Sequence, residues 1–238
     1  MIRRIVAVAA ALALAVAVAP SATAQPVPTL PPGSCAGIHA LLPIAGDGNY
    51  TLNTGTHLVP VYCHDMAGTP REYITLGAAN FSQYTAGGAA PGTNVRTTFT
   101  RVRLNPATLT VDINDLTFAT STGSLTHGGT AVTSMPYGVG FSCDSTPSGV
   151  GRIDLTGTAF LLADTFQVGG FTASGSATTS PDNRSADLAG GGYCGWISPA
   201  PYIYSPFNPT GSDFHLELAC GPYNLIDVLL GRACVALP

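Results

Sequence analysis

The chain of 238 residues contains no lysine; its nine basic residues are all arginine. Charged residues of either sign make up 9% of it, against about 25% in an average globular protein. The arginines are dispersed, and a surface for nucleic acid needs clustered cations to neutralise phosphates, so that class of partner is excluded. Glutamate occurs twice, as Glu72 and Glu217. A glycosidase can be built from two carboxylates, but neither context singles its residue out, and Arg71-Glu72-Tyr73 reads better as the top of a strand. His-Glu-x-x-His and Gly-x-Ser-x-Gly are missing, and without lysine there is no Ser-x-x-Lys. The local signatures of zinc proteases and serine hydrolases are therefore absent. No internal repeat is visible either, which argues against a solenoid or propeller.

What is present begins with an address. Arg3 and Arg4 precede an unbroken apolar run from Ile5 to Ala19, followed by Ala22-Thr23-Ala24. Positive region, apolar region and small-residue cleavage site together predict a signal peptide over residues 1–24, cut before Gln25. The run is shorter than the roughly 20 residues a membrane-spanning helix needs. No second long apolar span follows, so no membrane span is expected after cleavage. Loss of Arg3 and Arg4 leaves 13 acids against seven arginines, a formal charge of −6. Six cysteines, Cys35, Cys63, Cys143, Cys194, Cys220 and Cys234, all fall in the exported part. An even number in an oxidising compartment reads as three disulfides, with the pairing open at this level. All six are then consumed, which removes a cysteine nucleophile. The absent lysine and the alanine-rich leader point to a GC-rich bacterial source.

Twenty-eight glycines and 19 prolines punctuate the chain too often for a helical protein. Residues 25–34, with Pro26, Pro28, Pro31 and Pro32, form an extended lead-in. A short helix is expected from Cys35 to Leu42, stopped by Pro43. Asp47-Gly48 turns into a strand from Tyr50 to Leu52. Val59 to Cys63 and Tyr73 to Leu76 are two β-prone runs separated by Gly68-Thr69-Pro70, a strand–turn–strand unit around which the chain is organised. Asn80 to Asn94 reads as a Gly/Ala-rich loop. The cleanest period-two alternation surrounds Asn105-Pro106, with Val102 and Leu104 before it and Leu109, Val111 and Ile113 after it. Leu116 and Phe118 continue the pattern, so that the segment from Val102 to Phe118 offers a row of inward apolar residues. Ser121 to Gly129 reads as polar loop. Ile153 and Leu155 alternate again. Residues 172–192 are either a surface loop or weak edge strands. Phe214 to Leu218 alternates, and Leu225 to Leu230 is the one late helix candidate. The fold class expected is mainly β, of antiparallel, sandwich-like sheets with a short N-terminal helix and disulfides.

Several groups invite a functional reading. His57, His64 and Asp65 are close in sequence, but their spacing matches no ligand pattern, and surface or turn positions are the plainer reading. Asp112, Asn114 and Asp115 look like part of a calcium loop that lacks its glycine and its terminal glutamate, so a strand end followed by a turn is expected. Tyr193, Trp196, Tyr202, Tyr204 and Phe207 lie within a short Pro-rich stretch. Such rings suit sugar or protein binding, or else pack as a satellite core, which is favoured slightly. Asn80-Phe81-Ser82 and Asn183-Arg184-Ser185 match glycosylation sequons, which a bacterial source would leave unused. No catalytic residue, metal ligand or cofactor is expected.

An ordered series of short motifs runs through residues 35–196. Cys35-x-x-Ile38 opens it, followed by Asp47-Gly48-x-Tyr50-x-Leu52, Val61-Tyr62-Cys63-x-x-Met66 and Pro70-x-Glu72-Tyr73-Ile74-Thr75-Leu76. Asn80-Phe81-Ser82, Phe99-x-x-Val102-Arg103, Leu109-x-Val111 and Leu116-x-Phe118-Ala119 come next. Cys143, Ile153-x-Leu155-x-Gly157-Thr158 and Gly191-Gly192-Tyr193-Cys194-Gly195 close it. Each piece is short, but by their order over the whole stretch residues 35–196 resemble the GON domain, the C-terminal module of a subset of ADAMTS-type secreted zinc metalloproteases. Extra cysteines of the family, after Asn80-Phe81-Ser82 and beside Cys143 and Cys194, are missing here, and residues 197–238 fall outside it as a divergent, disulfide-bearing extension. Residues 35–66 are also similar to the opening of fibrinogen-like domains, which implies a Cys35–Cys63 disulfide. Adjacency then pairs Cys220 with Cys234 and leaves Cys143 for Cys194. The resemblance implies a secreted, non-catalytic recognition module whose partner is an unidentified extracellular glycan or protein. Two alternatives remain open: a metal-dependent hydrolase akin to the zinc metalloendopeptidases that carry the module, and a structural protein of the cell envelope.

Overall fold

The computed structural model describes residues 31–87, 94–163, 165–200 and 215–238. The expected signal peptide, most of the Pro-rich lead-in, and Tyr202, Tyr204 and Phe207 lie outside the described residues. Ser34 starts helix α1 (Cys35–Leu41) by accepting the Gly37 N–H at 3.0 Å, and the helix stops before Pro43. The first strands are β1 (Gly48–Asn53), β2 (His57–His64), β3 (Arg71–Thr85), β4 (Val95–Asn105) and β5 (Thr110–Asp112). The middle of the chain forms β6 (Ala119–Thr122), β7 (Leu125–His127), β8 (Thr130–Val132), β9 (Gly140–Asp154) and β10 (Phe160–Leu162). The remainder forms β11 (Phe166–Gly170), β12 (Ser174–Thr179), β13 (Ser185–Pro199), β14 (His215–Cys220), helix α2 (Leu225–Leu229) and β15 (Val235–Ala236).

The architecture is mainly β, and every strand pairing is antiparallel. Thirteen strands form one sheet, with β10-β14-β5-β4-β3-β9-β13-β11 as its main path, and β7–β8 form a separate ribbon. One core cluster draws on strands from both ends of this path, including Val59, Val102, Ile153, Phe160, Ile197 and Leu216. A single sheet can enclose such a core only by curling over it. The strand β3 is the pivot. Its first residues pair with β2, its last with β9, and a register break between Thr75 and Asn80 separates the two halves.

That break explains why Asn80 to Thr85 is strand where loop composition was expected. Asn80, Ser82, Gln83 and Thr85 are all buried polar residues, and they erase the apolar alternation that marks a strand. Asn80 is satisfied internally. Its Nδ2 donates to the carbonyls of Ala78 and Asp154, and its Oδ1 accepts from the Tyr137 hydroxyl at 2.8 Å and the Asp154 N–H at 2.7 Å.

Three further segments differ from their sequence reading. Val102, Leu104, Leu109, Val111 and Ile113 are buried, but Leu116 is 37% exposed and Phe118 half-buried. The alternation fails there because the strand ends at Asp112 and the chain turns, with Asp115 N–H donating to the Asp112 carbonyl. The stretch 121–129, read as loop, contains part of β6 and all of β7. These strands expose Ser and Thr, so no apolar period announces them. In 172–192 the edge-strand reading holds for β12, which pairs with β13 alone among the described residues, and fails for β13, which is interior and pairs with β9, β11 and β12.

Disulfides join Cys35 to Cys63, Cys143 to Cys194 and Cys220 to Cys234. Residues 215–238 are built into the same core. The strand β14 lies between β5 and β10, β15 pairs with β2, and Leu216, Leu218, Ala233 and Cys234 are buried.

Candidate functional site

Where β1, β2 and β3 meet the end of α2, an open cleft of about 370 Å³ forms. The ladder places its walls: Tyr50 lies opposite Val61, Asn49 opposite Tyr62, and Tyr62 opposite Tyr73. Phe160 and the turn before it close one side, and Leu230, Gly231 and Arg232 another. Tyr73 and Phe160 are buried and Tyr50 and Tyr62 half-buried; Tyr50 shares the core face of the sheet with Val61, and Tyr62 shares the other face with Asn49 and Tyr73. The α2 end is held in place from three directions. The Thr51 hydroxyl donates to the Gly231 carbonyl at 3.3 Å, the Arg232 N–H donates to the Asp227 carbonyl at 2.8 Å, and the Cys220–Cys234 bridge follows immediately. Gly231 has φ +63°, and a Cβ there would sit 2.7 Å from the Thr51 hydroxyl, so both backbone and space call for glycine.

Arg232 is exposed at this cleft. Each other described arginine has a partner: Arg71 and Arg103 face Asp115, Arg152 bridges Asp154 and Asp187, and Arg184 reaches Asp182 and the Thr158 carbonyl. Arg96 stacks over Phe81, and Arg101 lies 3.9 Å above the Tyr62 ring while its Nε donates to Thr75. Among the described residues, Arg232 is the one cation that no acid or ring answers. Sequence reading missed it; a lone arginine near the end of an apolar helix carries no motif.

The residues singled out from sequence are dispersed. His57 and His64 stand at opposite ends of β2, which at strand rise puts them roughly 23 Å apart, too far to share an ion. His64 Nδ1 is 2.8 Å from Asp47 Oδ2 and meets Phe118 edge-on, and His57 Nδ1 lies 3.0 Å from the Thr56 hydroxyl. The Met66 N–H bonded to Asp47 Oδ1 is the chief reason that carboxyl lies below its usual 3.8. Asp65 caps its own turn through the Thr69 N–H. Asp112 and Asp115 both face Arg103, and Asp115 also accepts from the Tyr73 hydroxyl at 3.2 Å. A carboxylate pair already answered by arginine does not attract calcium. Burial, above all, raises the Tyr73 pKa and keeps that hydroxyl protonated as a donor.

Glu72 accepts the Cys35 N–H at 2.8 Å, anchoring the start of α1 to β3. Glu217 is on β14, with β5 and β4 between it and β3. Three strand spacings make roughly 14 Å, beyond the 5–9.5 Å or so of a glycosidase pair. Asn80 is 1% exposed and saturated with hydrogen bonds, so its sequon is closed in the folded chain, whereas Asn183 is exposed at a turn. Of the expected aromatic group, Tyr193 is 62% exposed and Trp196 stacks on Phe141 with 6.1 Å between centroids, so these two point to different environments.

The fold defines a class of protein, a mainly β domain whose three disulfides fit an extracellular protein. The GON domain family model matches residues 32–90 and 89–204, and the chain belongs to that family. It is similar to human "A disintegrin and metalloproteinase with thrombospondin motifs 20", with 28% identity over 197 residues. The match takes in 70% of this chain and 10% of that protein, so the chain spans about a tenth of the length of the curated relative it matches. No solved structure matches. Within such proteases GON is an accessory domain. Among the described residues no helix is long and apolar enough to cross a membrane.

Proposed function

We propose that this chain is exported and acts outside the cell as a non-catalytic recognition module, taking a saccharide in the Tyr50–Tyr62–Arg232 cleft. The supporting observation is that open cleft, which tyrosines and Arg232 line, Arg232 being a cation with no partner among the described residues. Rings offer large contact area at little entropic cost, and a guanidinium presents a planar fork suited to a carboxylate or sulfate. Membership of an accessory-domain family, and a disulfide-bonded β fold, fit the same reading. The test is an array of neutral and acidic glycans and extracellular proteins probed with the full chain. Saturable binding of a saccharide, weakened at least tenfold by Arg232→Ala, is the expected result. Saturable binding to a protein alone would replace the saccharide, and an array without hits would end the reading.

A further inference from the structure

We propose that the Cys143–Cys194 disulfide is a reducible bridge, and that opening it creates a zinc site from the two thiolates and His127, independently of the cleft. The three ligand atoms already lie within 4.8 Å of one another. In a tetrahedral zinc site built from such ligands, neighbouring donor atoms stand about 3.3–3.8 Å apart. Parting the sulfurs to that distance and drawing His127 in by about an ångström completes a Cys₂His set with one open position.

Three features make this bridge different from the others. Cys143 and Cys194 are both half-buried, so a small thiol can reach either sulfur, whereas Cys35 and Cys63 are 0% exposed and the third bridge offers only Cys220, half-buried, its partner Cys234 being 1% exposed. The bridge also spans two strands that stay paired without it: β9 and β13 are in register on both sides, from Ser185↔Asp154 to Ile197↔Gly140. Cys143 sits opposite Tyr193, and Cys194 is the extra residue of a bulge, with φ +75°. The ladder therefore holds the freed thiols together instead of releasing them. His127, lastly, is delivered from a separate element. It precedes the Gly128-Gly129 turn of the β7–β8 ribbon, where both glycines have positive φ as a tight hairpin turn requires. Its Nδ1 lies 3.9 Å from Cys143 Sγ and 2.8 Å from the Tyr84 hydroxyl, which itself is 3.2 Å from the same sulfur. Edge contacts with Phe141, 5.4 Å between centroids, fix the imidazole plane.

The chemistry balances with an external dithiol as reductant. Its thiolate attacks Cys194 Sγ, the S–S bond breaks, and Cys143 leaves as a thiolate beside the Tyr84 hydroxyl. The second thiol resolves the mixed disulfide and expels Cys194. Two electrons and two protons pass to the protein, and the reductant becomes a cyclic disulfide. Zinc then takes both thiolates and His127 Nδ1, releasing the thiol protons. The Tyr84 hydroxyl gives up its contact with His127 Nδ1 and keeps the one to the Cys143 sulfur, a ligand-orienting role.

The experiment titrates the full chain with dithiothreitol, maps opened bridges by differential alkylation and mass spectrometry, and adds zinc alone under native spray. Expected are opening of Cys143–Cys194 while Cys35–Cys63 stays closed, unchanged far-ultraviolet dichroism, and one zinc per reduced chain and none per oxidised chain. His127→Ala should leave reduction intact and weaken zinc at least tenfold, and the double variant Cys143→Ser/Cys194→Ser should bind none. Prior opening of Cys220–Cys234, loss of β structure on reduction, a reduced chain that stays metal-free, or equal zinc affinity in His127→Ala would each overturn the proposal.

Discussion

Two polar regions of this molecule behave in opposite ways. At the centre, Asn80, Tyr137 and Asp154 form a buried knot in which the Asn80 side chain uses both its donors and its acceptor, tying the middle of β3 to the end of β9. At the rim, the Arg232 cleft is open, and its cation has no partner among the described residues. Buried polar groups that answer one another hold a fold, because leaving any of them alone costs its full desolvation. A polar group that water alone answers contributes little to folding and is available to a ligand. The knot is structural, and the cleft is where recognition is expected.

Mutation can break or sharpen that contrast. The largest loss is expected on the interior side from replacing Cys35 and Cys63 together by alanine, about 3–4 kcal/mol for a loop of this length in the chain-entropy model, read as a lower urea midpoint. Asn80→Ala should cost about 2–3 kcal/mol by orphaning the Tyr137 hydroxyl and the Asp154 N–H. A normal unfolding midpoint in Asn80→Ala would show that the knot carries no stability.

Acid should act next, on groups distributed over the surface and the knot. Asp47 is held below its usual 3.8 chiefly by the Met66 N–H, and Asp182 chiefly by the Ser180 hydroxyl. For Asp154, burial pushes upward, but the Thr156 hydrogen bonds and Arg152 outweigh it and the net direction is down. A carboxyl with a depressed folded pKa stabilises fully above its unfolded pKa and loses that contribution as pH falls through the folded one. These three groups therefore leave stability flat from about pH 5 to 7, starting roughly one unit above 3.8, and thermal midpoints should fall only as pH drops below about 5. The smallest effect on stability belongs to Arg232→Ala, within about 0.5 kcal/mol as for an unpaired surface residue, although its effect on saccharide binding is the one that tests the cleft. A large destabilisation by Arg232→Ala would erase the contrast between knot and cleft.

Much of the fold was legible. Helices α1 and α2, the strands flanking Gly68-Thr69-Pro70, and the buried alternation around Asn105-Pro106 follow from caps, turns and period two, all of which are local signals. The family was legible for a related reason: its short motifs occur in fixed order along the chain, and the match to residues 32–90 and 89–204 covers them. The illegible strands share one property. Asn80–Thr85 buries polar groups, β6 and β7 expose Ser and Thr, and Gly140–Val150 of β9 mixes Gly, Ser and Pro, so none of them presents an apolar stripe. Their pairing comes from neighbouring strands. The candidate site was illegible because Tyr50, Tyr73, Phe160 and Arg232 are far apart in the chain and carry no shared motif.

By itself, then, the sequence determined a six-cysteine, antiparallel β protein of the GON family, because alternation, turn residues and motif order are written in neighbouring positions. Tertiary structure alone decided which polar groups are answered. The pairing of β3 with β9 sets Asn80 beside Asp154, with Tyr137 just ahead of β9, and Arg232 lies at an open cleft. The two ribbons β7–β8 and β9–β13 meet so that His127 stands beside Cys143. Each of these meetings depends on strand register and crossover between distant segments, and a one-residue slip would reverse the faces involved.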